Sequence, residues 1–354
     1  NMTCKTCHAP FPKLKAYGEE FAANGFDLPD QDAPRYYVET GDNELSLIRD
    51  FPLALRLEGY LSYNNSKSKQ ADFTAPYILK FLSGGTITKD VSYYFYFFFS
   101  EKGEVVGIED AFIMFNNVFG SGIDATVGQF QVSDPLFKRE LRLTFDDYDI
   151  YKIKPGNSGI DLTYDRGLMF TYGLPTGTDF TVEVLNGNGI DKLNNSGNFD
   201  DDKYKNVFGR ISQDAGEHFR IGGFGYYGKE EKTAEVNETW IAGPDATISV
   251  EPFELNLQYV ERRDKNPFFV FNPAADVKTR GAFAELLFMP EGDNSKWYLT
   301  GLFNWVEMNK FAISRRTTAS AGYLLRRNIR LVGEYTYDFI NRFGRVGVGV
   351  ISAF

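Results

Sequence analysis

The sequence predicts an all-β chain: an antiparallel barrel of about sixteen strands, preceded by a short helical segment. Three observations carry this expectation. Hydropathy alternates with period two from Phe51 to the C-terminus, with apolar and polar residues on opposite faces. Long connections alternate with short turns along the same stretch. Aromatic residues make up 16% of the 354 residues, nearly all Tyr and Phe, and many fall near strand ends. No stretch reaches about 18 uncharged apolar residues, the length of a helical membrane span. The net charge of −10 argues against nucleic acid as a partner, because phosphate binding needs a basic surface, and it suits cations.

The only two cysteines stand at the start, in Cys4-Lys5-Thr6-Cys7-His8. A C-x-x-C-H run is the attachment site of a c-type haem. Two thiols at this spacing reach two vinyl groups on one porphyrin edge, and the adjacent imidazole falls under the iron as an axial ligand. A redox dithiol or a disulfide would need no following histidine, and the chain has only one other, His218. One covalently attached haem c is therefore expected. Because haem is attached to such motifs outside the cytoplasm, the chain is expected to be exported, with a leader removed.

Residues 1–26 read as a helical haem-binding segment. Pro12 suits a first helical position, Leu14, Tyr17, Gly18 and Phe21 repeat with helical spacing, and Gly25 supplies a left-handed stop. A helix of about three turns cannot enclose a porphyrin by itself, so something else must cover it. Residues 27–50 read as a polar connector.

From residue 51 the predicted strands are 51–63, 75–84, 89–100, 105–116, 122–132, 159–173, 178–186, 204–213, 218–228, 232–242, 246–260, 276–289, 296–308, 314–326, 328–340 and 342–354. Ile329, Leu331, Tyr335, Tyr337 and Phe339 share one face, opposite Asn328, Arg330, Glu334 and Asp338. Phe253, Leu255, Leu257 and Tyr259 oppose Glu254, Asn256 and Gln258 in the same way. Apolar outside, polar inside and aromatic girdles between describe an outer-membrane barrel in lipid. The chain ends on Val346, Val348, Val350, Ser352 and Phe354, one face closed by a terminal aromatic, as such barrels commonly do. With the first strand rising from the periplasm, the long connections 133–158, 187–203 and 261–275 all fall outside the cell.

The haem segment and barrel together resemble the fused monohaem cytochrome–porin family, the outer-membrane iron oxidases of iron-oxidising bacteria. The matching residues are Cys4-x-x-Cys7-His8, Pro12-Lys13-Leu14, Tyr17-Gly18, Phe21 and Asn24-Gly25-Phe26, followed by Asp50-Phe51-Pro52-Leu53-Ala54-Leu55-Arg56. Trp240-Ile241-Ala242-Gly243-Pro244-Asp245 and Leu255–Val260 look like phosphate-selective porins, to which that family's barrel is similar. The resemblance implies a monohaem plug inside a barrel. It also implies electrons taken from extracellular ferrous iron, or another donor, and passed to a periplasmic cytochrome.

The second to fourth strands break the alternation. Tyr93–Phe99 is aromatic on both faces, and Phe112 and Met114 share a face with Asp110. Apolar lumen surface facing water costs about 25 cal/mol per Å². Tyr94, Tyr96, Phe98 and Phe112 are thus expected to be covered by the haem segment, with irregular pairing or a bulge as the alternative. Candidate sixth ligands are Met114, Met169 and His218, all toward the periplasmic end; Met308 faces inward at the opposite end. A methionine opposite the histidine would raise the potential. Asp146, Asp147 and Asp149, and then Asp200, Asp201 and Asp202, place carboxylates in predicted outer loops, where a negative rim would concentrate divalent cations. Gly223-Phe-Gly-Tyr-Tyr-Gly228 matches a dinucleotide-loop pattern, but no helix follows it. Three readings stay open: an electron conduit, a porin whose tethered haem segment plugs or gates the pore, and a soluble β-rich cytochrome.

Overall fold

The computed structural model describes residues 4–26, 37–66, 70–105, 107–273 and 275–354. Two short helices, α1 (Cys4–Cys7) and α2 (Ala16–Ala23), are followed by a hairpin, β1 (Tyr37–Glu39) with β2 (Ser46–Ile48). Then come β3 (Ala54–Asn64), β4 (Gln70–Thr88), β5 (Val91–Glu101), β6 (Gly107–Phe115), β7 (Ile123–Gln131), β8 (Tyr164–Gly173), β9 (Thr178–Leu185) and β10 (Asn206–Asp214). The rest are β11 (Phe219–Lys232), β12 (Glu235–Val250), β13 (Phe253–Asp264), β14 (Val277–Phe288), β15 (Trp297–Met308), β16 (Phe311–Arg326), β17 (Ile329–Asp338) and β18 (Phe343–Ala353).

Each of β3–β18 pairs antiparallel with its neighbours in sequence, and β18 returns to β3, with Val348 opposite Leu61. Sixteen strands thus form one closed barrel. Closure leaves no edge and satisfies each strand's backbone groups laterally, as a wall in hydrocarbon must. Val346, Val348 and Val350 point outward, and Arg330, Glu334, Asn256, Gln258 and Asn304 are buried toward the lumen. A closed barrel with an apolar outer band and a polar interior belongs in a bacterial outer membrane.

The structure corrects several details of the expected chain path. The connector 27–50 contains the β1–β2 hairpin, tied to the barrel by Ser46 Oγ donating to the Ile87 carbonyl at 2.6 Å. Strand β12 runs straight through Gly243-Pro244-Asp245, where a turn was expected. The ladder to β13 is interrupted there, between the Ala242–Glu261 and Asp245–Gln258 pairs. The Gln258 side chain donates to the Pro244 carbonyl at 2.9 Å in place of a ladder bond. The proline therefore sits at an irregularity, where its missing N–H is tolerated. The largest correction is the connection between β7 and β8, which folds into the lumen instead of standing outside the cell.

A charge on the outer band should cost about 2–4 kcal/mol near the bilayer midplane. Val348→Arg should therefore lower the unfolding midpoint of the micelle-folded barrel, while Val348→Leu should leave it unchanged, as read by heat-modifiable gel migration.

Candidate functional site

Among the described residues, two segments occupy the lumen. One is the N-terminal segment. Helix α2 begins at Ala16, not at Pro12, and spans about two turns, because Pro10–Leu14 form a turn that brings His8 opposite Leu14. Gly18 lets the Cys7 carbonyl approach where any side chain would collide, and Gly25, at φ +66°, ends the helix.

The segment lies against the wall at one end of the barrel. Lys13 pairs with Glu254 at 2.9 Å, and the Asn116 amide donates to the Asn24 carbonyl at 2.9 Å. Phe26 stacks on Tyr94 at 5.8 Å, and Arg56 lies 5.6 Å from the Phe11 ring centre. These anchors sit near the chain-terminal ends of β3, β5, β6 and β13, the side on which short turns connect the strands.

Within the segment the His8 Nδ1–H donates to the Pro12 carbonyl at 3.2 Å. Burial lowers the His8 pKa, against the opposing pull of that carbonyl, so the imidazole is neutral near pH 7. A neutral ring whose Nδ1 is held by a carbonyl presents Nε2 as a free donor pair, the state an iron ligand requires. Cys7 is half-buried beside it. Cys7 and His8 thus fit a c-type haem at the level of donor chemistry.

The second internal segment is the connection 132–163. Its Leu136, Tyr148, Ile150, Tyr151, Ile160 and Leu162 form one core with inward-facing wall residues such as Phe208, Phe224, Ile241, Phe283 and Leu302. Arg262 holds its return limb, pairing with Asp264 at 2.7 Å and donating to the Ile153 and Ile160 carbonyls at 3.0 and 2.7 Å. Arg316 holds its middle through Asp146, at 2.9 Å, and Asp149. Asp147 gathers Arg139 at 2.7 Å, Lys152 at 2.5 Å and Arg142 at 3.8 Å. Burial alone would raise the Asp147 pKa, but Arg142, Arg139 and Lys152 outweigh it and hold the carboxyl far below its usual range. Glu140 faces the same contest, and Lys80, Arg56 and Arg142 bring it down to about 2. Asp146, Asp147 and Asp149 are therefore internal ion-pair partners, not an outer cation rim.

The apolar wall of β4–β6 is covered from several directions. Tyr94 meets Phe26 of the N-terminal segment. Lys80 lies 4.5 Å from the Tyr96 ring centre and 5.1 Å from that of Phe98, and Tyr96 shares a hydroxyl–hydroxyl bond with Tyr164. Phe112 packs on the internal loop core. Bulges at Leu79/Lys80 and Tyr96/Phe97 also break the ladder, so irregular pairing and covering occur together.

The candidate sixth ligands are separated. Met114 is buried on the inner face of β6, and Met169 packs against the internal loop core. His218 is exposed in a turn, its Nδ1 donating to the Ser249 carbonyl at 2.9 Å. Asp200 pairs with Lys205, and Asp202 accepts the Tyr204 and Glu231 backbone N–H groups at 2.6 and 2.8 Å, while Asp201 is exposed. Among the described residues no three His, Cys, Asp or Glu side chains converge to hold a metal ion. The arginines that organise the internal loop escaped the sequence reading. The available signal was apolar: Phe208, Phe224, Ile241, Phe283 and Leu302 all interrupt otherwise polar inner faces.

No family model and no curated protein sequence matches the chain. Solved structures do. An anion-selective porin from Comamonas acidovorans aligns with TM-score 0.62 at 11% identity, over 86% of this chain and 99% of that one. The outer-membrane channel DcaP of Acinetobacter baumannii aligns with TM-score 0.60 at 13% identity, over 86% and 97%. Salmonella typhi OmpF, in complex with daunomycin, aligns with TM-score 0.59 at 11% identity, over 90% and 100%. The chain has the fold of a sixteen-stranded porin-like outer-membrane barrel.

The depressed acids set a pH response of the internal loop. Glu140 falls from 4.5 to about 2 and Asp147 falls further, so the unfolded loop binds more protons between these values. Their contribution is complete above about pH 4.5 and is lost as pH falls through about 2. Asp134, pushed up to about 6 by burial, works in the opposite sense at higher pH. Backbone amides of the loop should therefore lose hydrogen-exchange protection, corrected for the intrinsic rate, near pH 2 and keep it at pH 5. Arg262→Ala should loosen it at neutral pH, a loss of about 3–5 kcal/mol for a broken buried pair, read as new protease sites in 150–162.

Proposed function

We propose that this chain is an outer-membrane barrel of porin type whose N-terminal segment plugs or gates the pore. The observation that carries this reading is the anchoring of that segment to the lumen wall by Lys13–Glu254, Asn24–Asn116, Phe26–Tyr94 and Phe11–Arg56. These contacts engage separate parts of the barrel circumference, as a plug must. The porin-like fold supports the same reading.

The C-x-x-C-H motif favours a second reading, in which the plug carries a haem c on Cys4 and Cys7 with His8 as axial ligand. When bound, that group supplies one-electron redox chemistry. The chain's own part is to present a neutral His8 through the Pro12 carbonyl and to hold the segment within the barrel. Tyr94 is the part of the β4–β6 aromatic surface that meets the segment directly. In this reading the barrel passes electrons inward from an extracellular donor, ferrous iron in the resembling family, to a periplasmic cytochrome. A one-electron centre suits the ferrous–ferric couple.

Two measurements separate these readings. In planar bilayers, a chain lacking residues 1–26 should conduct far more than the full chain, and equal conductance would defeat the plug. In oriented proteoliposomes, ferrous iron at the outer face should reduce the haem, and Cys4→Ser with Cys7→Ser should abolish the covalent haem stain. Reduction by organic donors but never by iron would remove iron as the donor and leave the relay.

A further inference from the structure

We propose that Arg330, in the same sheet row as the Glu58 partner of Arg56, forms an oxyanion site on the lumen wall that receives the carboxylate side groups of the tetrapyrrole carried by the N-terminal segment. This inference rests on the haem reading above.

Arg330 points inward from β17 and is 2% exposed. Among the described residues its Nε and Nη1 have no hydrogen-bond partner. Its guanidinium meets Tyr298, 5.9 Å from the ring centre and hydrogen-bonded to that side chain. Glu58 lies in the same row of the sheet, since Arg330 pairs with Ile351 and Ile351 with Glu58, and its charge and that of Arg330 interact across these two strand spacings. Glu58 is already engaged by Arg56 at 2.5 Å and by the Tyr60 hydroxyl at 2.8 Å. A buried guanidinium with two idle donors is costly unless an anion completes it. Its planar fork matches a carboxylate with two parallel bonds.

The site borders the plug. Arg56, whose Nε is also without a partner among the described residues, lies over the Phe11 ring at 5.6 Å. Phe11 packs against the Tyr60–Val332–Ile351 cluster and stands edge-on to His8 at 5.6 Å. Phe11 therefore lies between the proposed iron ligand and Arg56, and packs in the cluster of Ile351, the strand partner of Arg330. A tetrapyrrole bound at His8 brings two carboxylates on one edge, the chemistry these donors lack. A free phosphate or carboxylate in the lumen would use the same donors, and the experiment distinguishes the two.

The full chain is compared in detergent with Arg330→Gln, Arg330→Lys, Arg56→Gln and the double Cys4→Ser/Cys7→Ser variant, each checked for folding by heat-modifiable migration. The first readout is the haem midpoint potential between about pH 5 and 8, where a carboxylate held ionised by arginine keeps the profile flat. Arg330→Gln should lower the potential and make it pH-dependent, and Arg330→Lys should restore part of both. Should Arg330→Gln not fold, Arg56→Gln carries the same expectation. The second readout is the unfolding midpoint in inorganic phosphate against chloride of equal ionic strength. Phosphate should stabilise the double serine variant, whose site is open, and not the haem-bearing chain; adding Arg330→Gln should abolish the gain. A potential profile unchanged in both glutamine variants overturns the proposal. So does equal stabilisation of the haem-bearing and serine chains, which would assign the site to free anions. A wild-type chain with no covalent haem stain would instead defeat the haem reading itself, before either readout applies.

Discussion

Closure of the hydrogen-bonded ladder is the constraint on which the rest depends. In hydrocarbon no water is present to receive a backbone N–H or C=O, so an open sheet edge is untenable and the last strand must find the first. Here Leu55 and Phe354 exchange both backbone bonds, at 2.6 and 2.9 Å, and close the ring of strands. Once the ring is closed, alternation sends every second side chain to lipid and every other one to the lumen. The shape and chemistry of the interior then follow from which residues occupy the inner positions.

That interior is a second core as much as a channel. The connection between β7 and β8 buries its apolar residues against the wall, and charged pairs fix its path. Buried charges are affordable only when paired, and Asp147 with its three cations, Arg262 with Asp264, and Arg316 with Asp146 and Asp149 meet that condition. Arg330 keeps two donors without partners among the described residues, next to Ile351, whose cluster receives Phe11 of the N-terminal segment. The low pKa of Glu140 and Asp147 and the high one of Asp134 arise from the same burial, with opposite outcomes set by the number of cations nearby.

The N-terminal segment adds what a porin-like wall alone does not have. Its helices are too short to be stable in isolation, so the barrel supplies their packing. In return the segment brings its histidine into a confined, partly desolvated position beside the Phe11 ring.

Much of the fold was legible in the sequence, because a period-two pattern needs only local alternation to be read. The outward faces of β17 and β18 were assigned from Leu331, Tyr335, Val346, Val348 and Val350, and the motif Cys4-Lys5-Thr6-Cys7-His8 stood out by residue type and spacing alone. The length of β12 was misread, because Gly243-Pro244 carries the signature of a turn while unbroken pairing with β11 sustains it as strand. The inward path of residues 132–163 was missed for a deeper reason. A loop's destination depends on apolar partners contributed by β10, β11, β12, β14 and β15, distant in sequence and brought together only by closure. The sequence by itself thus determined the alternation, the barrel class and the thiol–imidazole motif, all of which are local. Tertiary structure alone decided which acids became ion-pair partners, what covers Tyr94, Tyr96 and Phe98, and where the N-terminal segment seats, because pairing and burial are properties of neighbours across the lumen.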